Sequence, residues 1–561
     1  MSENKHVGVI VQGSLREGLT AKLARPDAVE EMRVGKFVVI EGQQLRYFSL
    51  ITDIELHTTD QRLLADPPAN VFVRQVLAGT ATYGTVAIAP MLMLARGAGN
   101  DAEGPQPVRT IPGHFSTVLD ADDGDFRTVF GAEDQEHPGH FNIGMPLDND
   151  VPLCLDLARF IERSNGVFGK SGTGKSFVTR LILAGLIKKD VCSNLIFDMH
   201  SEYGWEGSSE TSTSGTVQGL KQLFRNKVLI YTLDPKSTQA RKASFDGEVR
   251  IAASEITAED IIQLTRELGL TATAPETINL LERRLGDRWL VRFLNMEPAE
   301  LEELAETTGG HSGALGSLRR KLFRLKGKKF IDWEEREAAD GSWDSLADSP
   351  RTSTHGVVRE MLGAIAAGKH IVLEFGAHND LLSYLLVANI ITRSIHKHYV
   401  DQKERYMATK DASAKPRPLM ITIEEAHKFL DPATAHDTIF GTLAREMRKY
   451  DVTLLVVDQR PSAIDSEVLS QIGTRIVCLL DDEKDVDAIL GGVSGASQLR
   501  GILATLETRG QALLLGHALP MPVTIRTRQY DADFWAEMRG YSDDRDRREE
   551  VQSLMSRFAR Q

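Results

Sequence analysis

Along the first hundred residues the apolar positions fall in short runs rather than helical stripes. HVGVIVQ (6–12), GKFVVIEG (35–42), YFSLITDIEL (47–56), VFVRQVL (71–77) and GTVAIAPMLML (84–94) are rich in β-branched residues and broken by Gly, Pro and Asp. That is the pattern of short strands in a small barrel or sandwich, and it predicts one domain over residues 1–96. Residues 97–125 are dense in Gly, Asp and Pro and read as a loop, within a linker over 97–149 that leads into the next domain.

From about residue 150 the pattern changes. NGVFG (165–169), NLIFD (194–198), KVLIYTL (227–233), HIVLEF (370–375), LMITIEE (419–425), VTLLVV (452–457) and RIVCLL (475–480) are short, nearly continuous apolar runs. Strands of a parallel sheet covered on both faces read this way. Between the first two lies KSFVTRLILAGLIKK (175–189), spaced as a helix. The expectation is an α/β core in two parts, 150–254 and 346–528. They are separated by a charged, helically spaced insertion over 255–345, and a polar tail over 529–561 carries a helix at REEVQSLMSRFAR (548–560). There is no internal repeat.

A chain of 561 residues, 42% hydrophobic and 26% charged, is a soluble globular chain of several domains. No apolar run approaches the roughly 20 residues a membrane span needs, and the N-terminus lacks the basic-then-apolar layout of a secretion signal. Cys154, Cys192 and Cys478 form no CxxC pair, so buried thiols in a reducing cytoplasm are expected. The net charge of −13 decides little about nucleic acid, because a positive channel inside an acidic exterior averages away.

The chemistry begins at Gly169, Lys170, Ser171, Gly172, Thr173, Gly174, Lys175 and Ser176, a GxxxxGK[ST] loop between a strand and a helix, with Phe177 next. Its backbone N–H groups and the helix N-terminus would cradle phosphates. Lys175 would reach the β- and γ-phosphates of ATP and the Ser176 hydroxyl would hold Mg²⁺. Hydrolysis also needs acids at the mouth of the sheet. Glu424 is expected on the metal and Glu425 on the attacking water. Gln459, at the exit of VTLLVVDQRP, can hydrogen-bond that water or the γ-phosphate. Arg445 and Arg448, three residues apart on a predicted helix over 441–451, are candidates to neutralise transition-state charge from a neighbouring subunit.

Together these segments resemble a known family. NGVFGKSGTGKS, NLIFDMHSEYG (194–204), ITIEEAH (421–427), AREMRKYDVTLLVVDQRPS (444–462) and GQALLLGHALPMPVTIRTR (510–528) are similar, in that order, to HerA-type ATPases of the HerA–FtsK class of hexameric translocases. The resemblance implies an N-terminal small β-barrel (HAS-barrel-like), a RecA-like P-loop ATPase core, a homo-hexamer and double-stranded DNA in its central channel. It implies working roles for Lys175, Ser176, Glu424, Glu425 and Gln459, and supports an arginine from 445–448. Two positions depart from the pattern: Glu424 stands where Asp is usual, and Asp458 where Ser is common. His200 and Glu202 either touch the nucleotide machinery or stabilise a loop.

The EEAH run also evokes helicases with a DExH box, but those place it within about a hundred residues of the P-loop, whereas Lys175 and Glu425 stand 250 apart. A ring scaffold that assembles an effector, and a conjugation- or secretion-type motor, are the alternatives. The basic run Arg319, Arg320, Lys321, Arg324, Lys326, Lys328 and Lys329 is a DNA contact, a solvated helix face or a face docked on acidic neighbours. No nuclease cluster or second catalytic set is visible, so a separate nuclease (NurA-like) or defence effector protein is the expected partner, and no membrane is.

Overall fold

The computed structural model describes residues 5–78, 80–95, 104–208, 216–308, 311–333, 335–337, 343–345, 354–432, 435, 439–493 and 495–558. The chain divides into two compact units. One comprises Met1–Phe160, Gly169–Gly174 and Gly473–Gln529, the other Ile161–Phe168, Lys175–Ile472 and Tyr530–Gln561.

The first unit contains an antiparallel barrel. Its strands run Gly18–Leu23, His6–Ser14, Thr117–Asp120, Phe37–Glu41, Leu45–Thr58 and Thr82–Ala95, and pairing of the last with the first closes the ring. Alternation along each strand turns Val7, Ile10, Val38, Ile40, Ile51, Val86 and Ile88 inward. Two expectations fail here. The segment read as a loop supplies the strand Thr117–Asp120, which bridges His6–Ser14 and Phe37–Glu41, and the helix Asp123–Phe130. That helix is started by a capping box between Asp122 and Asp125, and its Phe126 and Phe130 pack edge-on against Phe37 and Phe48. VFVRQVL is a helix, not a strand: the Asn70 side chain accepts the Phe72 N–H and caps Val71–Leu77. A second antiparallel ribbon in this unit runs Thr474–Val477, Gln511–Gly516, Val523–Thr527, His140–Pro146 and Leu153–Asp156.

The second unit is a seven-stranded parallel sheet in the order Gly247–Glu248, Val228–Thr232, His370–Glu374, Ser193–Asp198, Leu419–Glu424, Val452–Asp458 and Asn165–Phe168. Every residue of the last four strands is buried, which is why they read as unbroken apolar runs. The helix Lys175–Lys189 is buried at each position from Val178 to Ile187, so it is a core helix wrapped on all sides.

The insertion is helical as expected, with Ala258–Ile262, Ala274–Leu285, Trp289–Asn295, Pro298–Thr308 and Ser312–Leu322 around buried Trp289, Phe293 and Leu322. Much of its basic run is hydrogen-bonded within the protein. Arg319 donates to the Leu294 carbonyl, Lys321 to that of Gly269 and Arg324 to that of Glu267. Lys326 donates to Asn295 Oδ1, and Lys328 pairs with Asp380. Arg319, Lys321 and Arg324 satisfy carbonyls that helix ends and turns leave open; Arg320, Arg324 and Lys329 are exposed. The tail is one helix, Ala532–Phe558, starting well before the predicted 548. It is tied to its unit by Lys188–Glu537, Arg225–Asp543 and Arg545–Asp190. Among the described residues no helix is long and apolar enough to cross a membrane, and the three cysteines are free and buried.

Candidate functional site

The P-loop follows the buried strand Asn165–Phe168 and ends where the helix begins at Lys175. Gly169 sits so close to its surroundings that a Cβ there would lie 2.7 Å from Cys478 Cβ and 2.8 Å from Thr173 Oγ1. Gly174 has φ +98°, a conformation a side chain would strain. The loop is held by its own unit. The Lys170 N–H donates to the Leu479 carbonyl at 3.0 Å, Thr173 Oγ1 to the Lys170 carbonyl at 2.8 Å, and Arg509 Nε to the Gly172 carbonyl at 3.3 Å. The Lys170 ammonium is 2.8 Å from Asp481, which engages it at the rim of the loop.

The acids come from strand register. Phe168 pairs with Asp458, Glu424 with Val457, Ile423 with Phe197 and Asp198 with Glu374. The root of the P-loop, Asp458, Glu424, Asp198 and Glu374 therefore end adjacent strands at one edge of the sheet, where α/β proteins bind ligands.

Glu424 is 7% exposed. Tyr203 donates its hydroxyl to Glu424 Oε1 at 2.8 Å, while Oε2 has no hydrogen-bond partner among the described residues. Burial, reinforced by Asp198 and Glu202, pushes this carboxyl up to about 8, and burial likewise pushes Asp198 up to about 6. Glu425 is half-buried and takes a left-handed backbone, φ +50°, a strained choice for a non-glycine residue that clusters at functional sites. Gln459 Nε2 donates to Glu425 Oε1 at 2.9 Å.

Asp458 accepts the His427 N–H at 2.7 Å, His427 Nδ1 at 2.9 Å and the Arg460 N–H at 2.6 Å. It thereby staples the exits of the two strands, and its hydrogen bond raises the His427 pKa. At this departure from the family pattern the carboxylate is spent on structure.

The chain matches the family model described as helicase HerA, central domain, over residues 141–395. It is 23% identical over 528 residues to the DNA double-strand break repair helicase HerA of Saccharolobus solfataricus, covering 93% of this chain and 92% of that one. To the protein of the same name from Pyrococcus furiosus it is 22% identical over 400 residues, 67% of each chain. Over these spans the chain is similar to the HerA-type ATPases. It is a P-loop ATP hydrolase. Among solved structures, VirB4 of Thermoanaerobacter pseudethanolicus is similar at 15% identity and a TM-score of 0.42, over 71% of this chain and 98% of that one.

In this P-loop ATPase the structure brings Glu424, Glu425 and Gln459 together and gives the two arginines different surroundings. The α-helix stops at Glu446, so Arg448 lies on the following 3₁₀ turn Met447–Tyr450. Arg445 is half-buried with Nη1 3.4 Å from the Ala435 carbonyl. Arg448 is exposed. Of the 198–204 segment, His200 is exposed and Glu202 contributes through its backbone, its carbonyl accepting Arg180 Nε at 3.0 Å and Nη2 at 2.6 Å. Sequence reasoning singled out His200 and Glu202 there and passed over Tyr203. A tyrosine beside an acid carries no signal until the fold puts it against Glu424.

Proposed function

We propose that this P-loop ATPase is of the HerA type, one subunit of a homo-hexameric ring that couples ATP hydrolysis to movement along double-stranded DNA in a central channel. We assign it a separate partner, a nuclease of the NurA type or a defence effector, to act on that DNA. The observation that carries the reading is the Gln459–Glu425 hydrogen bond of 2.9 Å at the end of two paired strands. It ties the candidate base to a residue able to register the γ-phosphate. The relatives named as DNA double-strand break repair helicases supply the DNA.

Lys175 balances charge on the β- and γ-phosphates, and the backbone of Gly169–Ser176 holds them. Ser176 and Glu424 would hold Mg²⁺, and the residues fit it. Glu424 is a buried carboxyl with one oxygen unpartnered among the described residues and a pKa displaced upward by burial and by the nearby Asp198 and Glu202. When bound, the ion would neutralise charge building on the phosphates. Glu425 accepts the proton of the attacking water, and Gln459 holds that carboxylate in place. Arg448, exposed on its turn, is the better placed arginine to reach a neighbouring subunit.

The test is ATP turnover by the full-length chain with and without blunt duplex DNA, alongside native mass measurement. Stimulation of turnover by duplex in a six-fold assembly is expected. A six-fold assembly that forms with ATP but is indifferent to DNA would replace the motor with a scaffold.

A further inference from the structure

The segment Asp198–Gly204 lies between two parts of the site and bonds to both. At one end, the Asp198 carboxylate accepts the N–H groups of Glu202 at 2.8 Å, Tyr203 at 2.8 Å and Gly204 at 3.4 Å. Three bonds to one carboxylate wind the chain into a tight strap directly after its strand. A Cβ at position 204 would lie 2.9 Å from Glu374 Oε1, so a glycine permits the strap to seat that closely.

The strap then makes two contacts. Its Glu202 carbonyl receives the fork of Arg180, a residue 4% exposed on the P-loop helix. The Arg180 guanidinium lies 5.5 Å from the centre of the Phe177 ring and 5.9 Å from that of Tyr203. The fully buried Tyr203 donates to Glu424 Oε1. The backbone of Glu424 is held separately, its N–H donating to Tyr384 Oη at 3.2 Å. One short segment thus links the helix that begins at Lys175 to the carboxylate expected to hold the metal.

We propose that Tyr203 is a positioning residue for the Mg²⁺ carboxylate: it pins one oxygen of Glu424 and leaves the other directed to the ion. The inference rests on the assignment of Glu424 as a metal ligand. It accounts for glutamate at a position where the family pattern has aspartate. An arm one carbon longer has one more torsion to freeze, and a hydroxyl bonded to its tip removes that freedom. Because the strap is anchored by Arg180 to the P-loop helix, the carboxylate is set against the same helix that carries Ser176.

The test uses the full-length chain with Glu425→Gln to halt turnover, loaded with ATP, and reads Mn²⁺ binding by electron paramagnetic resonance. Tyr203→Phe keeps the ring and removes only the hydroxyl. It is expected to raise the Mn²⁺ half-saturation about tenfold, with metal-free nucleotide affinity unchanged. In a Glu424→Asp background the carboxylate retracts from the hydroxyl, so Tyr203→Phe should then cost nothing further. An equal loss in both backgrounds, or no loss in either while Glu424→Ala abolishes Mn²⁺ binding, would overturn the inference. If Glu424→Ala itself left Mn²⁺ binding intact, the metal assignment would fall and the role of Tyr203 with it.

Discussion

The P-loop and the acid shelf are built in opposite ways. The loop is eight consecutive residues, shaped by its own glycines and braced by bonds to its own carbonyls and to Leu479 and Arg509. The shelf is assembled from residues as distant as Asp198 and Asp458, brought to one edge by parallel register. Each of its acids is then defined by its neighbour: Glu424 by Tyr203, Glu425 by Gln459, Asp458 by His427. Damage to the loop should remove a direct contact with phosphate. Damage to the shelf should leave nucleotide bound and lose only its use.

The sharpest break of that contrast is Lys175→Ala. Nucleotide-stimulated turnover should disappear and fluorescent-nucleotide binding weaken, since the loop lysine contacts phosphates in ground and transition states alike. Next in size is Arg448→Ala, expected to lower kcat about 10³-fold with ATP affinity retained. Arg445→Ala, whose guanidinium reaches the Ala435 carbonyl, should do less. Mixing Lys175→Ala with Arg448→Ala protein should restore part of the activity if the arginine acts across a subunit boundary. No recovery in mixed rings would assign Arg448 to its own subunit.

Glu425→Gln should reduce turnover about 10²–10³-fold and trap bound ATP, seen as unhydrolysed nucleotide after gel filtration. Wild-type turnover would remove Glu425 from the role of base. Gln459→Ala releases that carboxylate from a single hydrogen bond, and about a tenfold fall in kcat at constant KM is expected.

The smallest effect lies outside both regions, at the N-terminal end of a core strand. His370 is fully buried, its Nδ1 2.8 Å from Asn194 Nδ2, and burial holds its pKa down at about 3. Above the ordinary histidine value of about 6.5 the ring is neutral folded or unfolded, and no stability depends on pH. Below it the unfolded chain takes up a proton that the folded chain refuses. Stability should therefore fall by about 1.4 kcal/mol per pH unit from this group as pH drops from 6.5 toward 3. His370→Asn keeps a hydrogen-bond acceptor and cannot titrate, so its melting temperature should decline less between pH 7.5 and 5.5. Parallel curves for the two proteins would exclude His370 as a source of acid sensitivity.

Legibility followed the range over which each feature is built. The parallel strands could be read directly because both faces of Leu419–Glu424 and Val452–Asp458 are buried, leaving no polar alternation to confuse them. The strand Thr117–Asp120 could not, because its four residues pair on both sides with segments far away in sequence and carry little apolar pattern of their own. VFVRQVL misled for a related reason. Its β-branched residues favour a strand, but the Asn70 cap starts a helix whose Val71, Phe72, Val73 and Val76 side chains stay exposed. The bonding of the basic run was not legible either, because the carbonyls that Arg319, Lys321 and Arg324 donate to are brought near only by the folding of the insertion.

What the sequence by itself determined is the phosphate loop and the identity of the acids, amide and arginines. Glycine spacing and a strand–loop–helix order are local properties of the chain. Only the tertiary structure decided what each of those groups faces. It set Tyr203 on Glu424, Gln459 on Glu425 and His427 on Asp458. It also turned Arg445 inward and left Arg448 exposed. The physical reason is that a carboxylate's protonation, orientation and availability depend on burial and on hydrogen-bond donors, and these arrive from strands and loops that are separate in sequence, 31 residues away for His427 and Asp458 and 221 for Tyr203 and Glu424.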